Sequence, residues 1–147
     1  MLFMQTTRDL NLVILGDKGL RTGMRIHGTL EIIRNQSSLP DDHEGGNTAH
    51  IEIHPNGKWA YGSNRGHDSI VGFDIAGDGT LSPFGYYPVP ASPRSFNIDP
   101  TGTYLYCAGE QADTMNAYRV DRSTGALEQF DSYDVGKSPF WVMIEEL

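Results

Sequence analysis

His54-Pro55-Asn56-Gly57-Lys58-Trp59-Ala60-Tyr61-Gly62-Ser63 is the stretch on which the fold turns. Pro55-Asn56-Gly57 makes a tight turn, because Asn and Gly tolerate positive φ, and an aromatic strand follows from Trp59. The same arrangement returns 45 positions on as Pro100, Gly102 and Tyr106. At that spacing Trp59 also matches Tyr104, Asp68 matches Asp113 and Phe73 matches Tyr118. One residue is then inserted and the register continues at 46: Gly79 and Leu81 match Gly125 and Leu127, and Ser92-Pro93 matches Ser138-Pro139. Upstream, Gly28-Thr29-Leu30 repeats Gly79-Thr80-Leu81, across a longer acidic connection through Asp41, Asp42 and Glu44.

One period reads as four strands. Ile51-Glu52-Ile53 alternates; Trp59 to Ser63 is the second strand, closed by a polar loop from Asn64 to Ser69. Ile70 to Ile75 is the third, and Leu81 to about Val89 the fourth, with Pro90 to Arg94 leading into the next copy. Four short strands in ~40–50 residues are the signature of a β-propeller blade. The competing fold, an unrelated antiparallel sandwich, needs no such period. The expected fold is therefore all-β: blades of four antiparallel strands, incomplete as a ring. A divergent partial blade over 1–46 precedes full blades over 47–91 and 92–137, and 138–147 begins a further inner strand. Within 1–25 only Leu10 to Leu15 and Met24 to His27 look like strands, and the Pro-x-Gly turn is missing.

Composition narrows the function. Eleven Lys and Arg against nineteen Asp and Glu give a net charge of -8, which repels a phosphate backbone, so nucleic acid is not expected as a partner. No apolar run approaches the ~20 residues a membrane helix needs, and Met1 to Gly16 lacks the basic start and apolar core of a secretory signal. With a single cysteine, Cys107, no intrachain disulfide forms, and a cytoplasmic location is expected. There is no P-loop, Rossmann fingerprint or G-x-S-x-G elbow, and His50 and His54 lack a third ligand; neither cofactor nor metal is expected.

In an up-and-down blade successive turns alternate between two faces. One face carries the turns at Asn56-Gly57 and Asp78-Gly79. The other collects Asn47, His50, Asn64, Arg65, His67, Asp68, Arg94, Glu110, Gln111, Asp113 and Lys137, and is the expected ligand face. Arg65 and Glu110 occupy equivalent places in adjacent blades; they either orient a substrate and water or form an inter-blade ion pair. The planar donors of Arg94 suit a carboxylate, a phosphate or a developing oxyanion, or else tie a crossover loop to backbone carbonyls. His67 is a candidate acid or base, against the alternative of a solvated histidine in a polar loop. Cys107 lies mid-strand, where an inert buried thiol is expected.

The run from His54 through Ser63-Asn64-Arg65-Gly66-His67-Asp68-Ser69-Ile70 closely resembles the propeller-type lactonases, which include the seven-bladed 6-phosphogluconolactonases and the 3-carboxymuconate lactonising enzymes. Asp78-Gly79-Thr80-Leu81, Pro93-Arg94-Ser95-Phe96-Asn97-Ile98-Asp99-Pro100-Thr101-Gly102 and Gly136-Lys137-Ser138-Pro139-Phe140-Trp141-Val142 extend the resemblance over about Leu39 to Met143. It implies metal-free opening of a small lactone, 6-phosphogluconolactone foremost, with Arg65, His67, Arg94 and Glu110 in catalytic positions and Asn47, His50, Asn64 and Gln111 binding substrate. Arg65 and Arg94 would hold a phosphate or polarise the carbonyl, while Glu110 or His67 directs water. A seven-bladed ring at this period needs roughly 315 residues, and 147 supply about three blades, the C-terminal part. Two other functions stay open: an inactive or interaction-only fragment, and ring closure or isomerisation of a muconate. Exposed blade edges are expected to favour self-association.

Overall fold

Short apolar–polar alternations between Gly-centred turns become twelve strands in this computed structural model, which describes residues 2–5, 10–16, 19–26 and 29–145. β1 (Leu2–Gln5), β2 (Leu10–Gly16), β3 (Gly19–Ile26) and β4 (Thr29–Gln36) form one antiparallel sheet in that order. β5 (Asn47–Ile53), β6 (Trp59–Arg65), β7 (Ser69–Ile75) and β8 (Leu81–Pro88) form the second. The third is β9 (Pro93–Ile98), β10 (Tyr104–Gly109), β11 (Thr114–Val120) and β12 (Leu127–Asp134). The three stand in a row, each packed on its chain neighbour, as propeller blades do.

The first sheet has three strands by Ile26, where the sequence pattern points to two, and its fourth strand starts at Thr29, where the Gly28-Thr29-Leu30 repeat falls. Its hairpins do not use the Pro-x-Gly turn, so the signal that marks the later blades is missing there. Residues 10–15 lie in β2 and Met24 ends in β3, while His27 and Gly28 fall outside the described residues. The kinship shows instead in the backbone. A register shift falls between the third and fourth strands of every sheet, at Thr22/Gly23, Gly72/Phe73 and Ala117/Tyr118. Such bulges increase strand twist, and these recur at equivalent places.

The crossovers between blades are repeated devices as well. Asp68 Oδ1 accepts the Ser92 amide at 2.9 Å, and Asp113 Oδ1 accepts the Ser138 amide at 2.9 Å. All four residues have left-handed backbone, with φ between 49° and 59°, a region the short polar side chains tolerate. Asp68 and Asp113 are thus crossover staples. On the opposite face, buried His54 accepts the Asn56 amide on Nδ1 and so donates from Nε2 to the Gly102 carbonyl at 2.8 Å. A Cβ on Gly102, whose φ is +70°, would lie 2.5 Å from that imidazole, so glycine is required there.

The middle blade is buried on both faces. Ile51, Ala60, Val71, Phe73 and Leu81 form one apolar cluster, and Trp59, Tyr61 and Ile70 meet Phe96, Ile98, Leu105, Tyr118 and Val120 of the third blade in the other. Each fully buried side chain of this kind contributes about 1.5–3 kcal/mol. Two phenols lock the blades together: the Tyr61 hydroxyl donates to the Gly125 carbonyl at 2.7 Å and the Tyr118 hydroxyl to that of Pro88 at 2.8 Å. Burial pushes the Tyr118 phenol up to about 12 and the Cys107 thiol well above its ordinary range, so Cys107 is an inert packing residue. Among the described residues no helix is long and apolar enough to cross a membrane.

Candidate functional site

β5 and β9 are the innermost strands of their blades, and the segment 139–145 runs beside β9 in the same sense. Val142 N donates to Ser95 Oγ at 3.1 Å and Ile144 N to Asn97 Oδ1 at 3.0 Å. At the end where the crossovers arrive, Thr48, Ala49, His50, Arg94, Phe140 and Trp141 enclose a cleft of about 210 Å³, together with Arg65 from the end of β6. Gly46 lets the preceding loop press on this corner: a Cβ there would lie 2.7 Å from the Arg65 carbonyl oxygen.

Two guanidinium groups therefore share one small concavity. The Arg65 Nε is buried and has no hydrogen-bond partner among the described residues. A buried donor left unmatched costs about 1–3 kcal/mol, so an incoming acceptor is favoured at that point. Arg94 is braced. Its Nε donates to Glu110 Oε2, Ser92 Oγ reaches the same oxygen at 3.3 Å, and its guanidinium lies 5.4 Å from the Phe140 ring centroid. The Arg94 hydrogen bond, with smaller contributions from Ser92 and Arg65, holds the Glu110 carboxyl below its ordinary range.

A depressed carboxyl pKa contributes stability that is full above the unfolded value, about 4.3, and is lost as pH falls through the folded value. Glu110→Gln is therefore expected to melt a little below the parent at pH 7, with the difference closing as pH falls through the folded value. A melting-temperature series against pH checks this, and a gap that stays constant as the pH is lowered contradicts it.

His50 brings an imidazole to the cleft. Its Nε2 lies 3.1 Å from Glu52 Oε1, and its ring is edge-on to Phe96 and Trp141 with centroids at 5.0 and 5.5 Å. The Glu52 carboxylate also accepts Asn97 Nδ2 at 2.5 Å and the Ile98 amide at 2.9 Å. Three donors converge on it, so Nε2 carries the proton and Nδ1 is left as the basic nitrogen. The half-buried dyad is oriented by the neighbouring blade.

The remaining candidates from the sequence lie apart from the cleft. His67 hydrogen-bonds Ser69 Oγ through Nδ1 at 2.6 Å and packs edge-on against His43 and Tyr86, toward the outer strand of its blade. Asn64 is fully buried: Nδ2 donates to the Ser38 carbonyl at 2.6 Å and Oδ1 accepts the Ser38 hydroxyl at 2.7 Å. Ser38 Oγ also lies 2.9 Å from Thr48 Oγ1, so Asn64 supports the cleft wall from behind and does not face it. Asn47 is exposed at the start of β5, paired in register with Arg65. Gln111 is exposed in the β10–β11 turn, its amide on the Ala91 carbonyl at 3.2 Å. Asp113 and Lys137 pair with each other at the surface.

Glu52, Asn97, Phe140 and Trp141 are site residues that the pattern reading passed over. A signal for the first two exists: Glu52 and Asn97 are polar residues at one place in successive inner strands, 45 apart, where an alternating strand otherwise shows only its apolar side.

A family described as lactonase, seven-bladed β-propeller, matches residues 22–144. A 6-phosphogluconolactonase of Serratia proteamaculans is 35% identical over 119 residues, covering 80% of this chain and 36% of that protein. The 6-phosphogluconolactonase of Yersinia pestis strain Pestoides F is 36% identical over 115 residues, covering 77% of this chain and 34% of that protein. The chain thus spans about a third of the length of these curated relatives. Among solved structures, a candidate 6-phosphogluconolactonase from Bacteroides uniformis superposes with a TM-score of 0.79 at 29% identity, over 90% of this chain and 39% of that one. A Pseudomonas aeruginosa periplasmic gluconolactonase shares the fold at a TM-score of 0.79 and 19% identity, over 92% of this chain and 40% of that one.

Proposed function

Because this chain belongs to the seven-bladed β-propeller lactonase family, we propose that its cleft opens a small anionic lactone, with 6-phosphogluconolactone as the substrate. The observation that carries the reading is the pair of guanidinium groups, Arg65 and Arg94, beside a carboxylate-oriented imidazole, His50, in one cleft.

Lactone hydrolysis adds water to the carbonyl carbon, places negative charge on the carbonyl oxygen, and then breaks the bond to the ring oxygen, which leaves with a proton. His50 Nδ1 takes the proton from the attacking water and returns it to the ring oxygen. Arg94, held by Glu110, faces the developing oxyanion, and the unmatched Arg65 Nε–H receives the substrate's remote anion. Glu110 stays ionised and acts through Arg94. Phe140 and Trp141 line the cleft as its apolar side. A cytoplasmic setting, where sugar phosphates are retained, goes with this reading.

The direct test is the opening of 6-phosphogluconolactone by the purified chain in a pH-stat, against the spontaneous rate. Catalysed opening that saturates with substrate is expected; no acceleration at any protein concentration contradicts the reading.

A further inference from the structure

We infer that Asn97 is a positioning residue for the His50 imidazole, acting from the neighbouring blade through the Glu52 carboxylate. Its kinetic consequence rests on the lactonase reading; its effect on the ring does not. Glu52 and Asn97 hold one place in successive inner strands, and each accepts an amide of the inner segment that follows. Glu52 Oε2 takes that of Ile98 at 2.9 Å, and Asn97 Oδ1 that of Ile144 at 3.0 Å. This task needs an acceptor and nothing more, and a carboxylate and a carboxamide both supply one. The donor that Asn97 carries besides has another partner.

Asn97 Nδ2 donates to Glu52 Oε1 at 2.5 Å, the same oxygen that faces His50 Nε2 at 3.1 Å. The amide cannot be turned about. The exchange would set Nδ2 against the Ile144 N–H and Oδ1 against the carboxylate, two donors together and two acceptors together. A carboxamide therefore meets both demands from one short stem. Aspartate at 97 would present only acceptors to Glu52, and lysine or arginine only donors to Ile144.

The effect on Glu52 is geometric. Two adjacent donors of β9, Asn97 Nδ2 and the Ile98 amide, each hold one carboxylate oxygen, so the plane of the group is fixed. Without Asn97 the carboxylate is free to turn about the Ile98 bond, and Oε1 leaves the line of the imidazole N–H. A hydrogen bond to an ionised acceptor is a strong one, so the ring keeps its direction only while Oε1 keeps its place. Asn97 is not among the residues that enclose the cleft. It acts on the imidazole and not on a ligand.

Heteronuclear NMR spectra of the histidine side chains, with lactone-opening kinetics on the same samples, are the test. In the parent the His50 Nε2 proton is expected as a downfield resonance protected from exchange with water, because a carboxylate binds it. Asn97→Leu, close in shape but without donor or acceptor, is expected to abolish that resonance and to lower kcat about 10- to 100-fold, the loss that follows a misplaced proton acceptor. KM is expected to stay within about twofold, since Asn97 does not touch the substrate. Asn97→Ala repeats both readouts without adding a branched chain to the half-buried position. Ser95→Ala removes the other mooring of segment 139–145, the bond from the Val142 amide, and leaves Glu52 untouched, so it is expected to keep the resonance. In a Glu52→Ala background Asn97→Leu is expected to lower kcat no further, because residues that act through one another are not additive. A resonance that survives both substitutions at 97, that Ser95→Ala also abolishes, or that the parent lacks overturns the proposal, as do kcat losses at 52 and 97 that simply add. A parent that shows the resonance but opens no lactone sinks the lactonase reading alone, and the spectra then decide the role of Asn97.

Discussion

Arg94→Ala is expected to slow lactone opening by about 10²–10³ in kcat, the loss that follows removal of one fixed donor to a developing oxyanion. The guanidinium is held on two sides, by Glu110 through Nε and by the Phe140 ring at 5.4 Å, so it arrives at the reacting oxygen without being reorganised. Arg94→Lys keeps the charge but loses both the fork and the Glu110 brace, and is expected to recover only a small part of the rate. The side chain is 36% exposed, so stability should change by less than about 1 kcal/mol and the kinetic loss cannot be ascribed to unfolding. Initial rates of lactone opening, with urea denaturation of the same samples, check both halves. Equal rates for Arg94→Ala and the parent would remove Arg94 from the reaction.

Asn64→Ala is expected to cost roughly 1–3 kcal/mol of folding free energy, because the substitution strands a buried carbonyl and removes an acceptor from a buried hydroxyl. The Ser38 carbonyl loses its donor and the Ser38 hydroxyl its acceptor, in a place where both residues are fully buried. Chemical denaturation gives the free energy directly. A substrate-binding Asn64 would instead leave stability unchanged and raise KM, and that outcome would contradict the structural role.

The period that defines the fold is legible because Pro55, Gly57 and Tyr61 serve backbone geometry and packing, and both demands recur in every blade. The first sheet is hard to read for the converse reason: its blade character resides in a register shift at Thr22/Gly23, which no residue type encodes. Arg65 and Arg94 could be placed on the ligand face from turn alternation alone. Which polar residues of that face reach the cleft could not, because this depends on side-chain direction. Asn64 and Arg65 are adjacent in β6, so one turns into the sheet's packing while the other turns to the cleft. His67 was equally eligible by position and is drawn off by Ser69, His43 and Tyr86. Phe140 and Trp141 belong to the cleft only because the segment 139–145 is moored to Ser95 and Asn97 of the preceding blade.

Those moorings form a series. Glu52 Oε2 takes the Ile98 amide, and Asn97 Oδ1 takes the Ile144 amide, so each inner segment is registered by a side chain of the one before it. The molecule therefore behaves as a one-dimensional lattice with nearest-neighbour coupling, in which order is handed along the row one unit at a time. The geometry of the cleft inherits this directionality. His50 depends on a carboxylate whose other two partners lie one blade further on, so local melting of β9 would disarm the imidazole before the middle blade itself had begun to unfold.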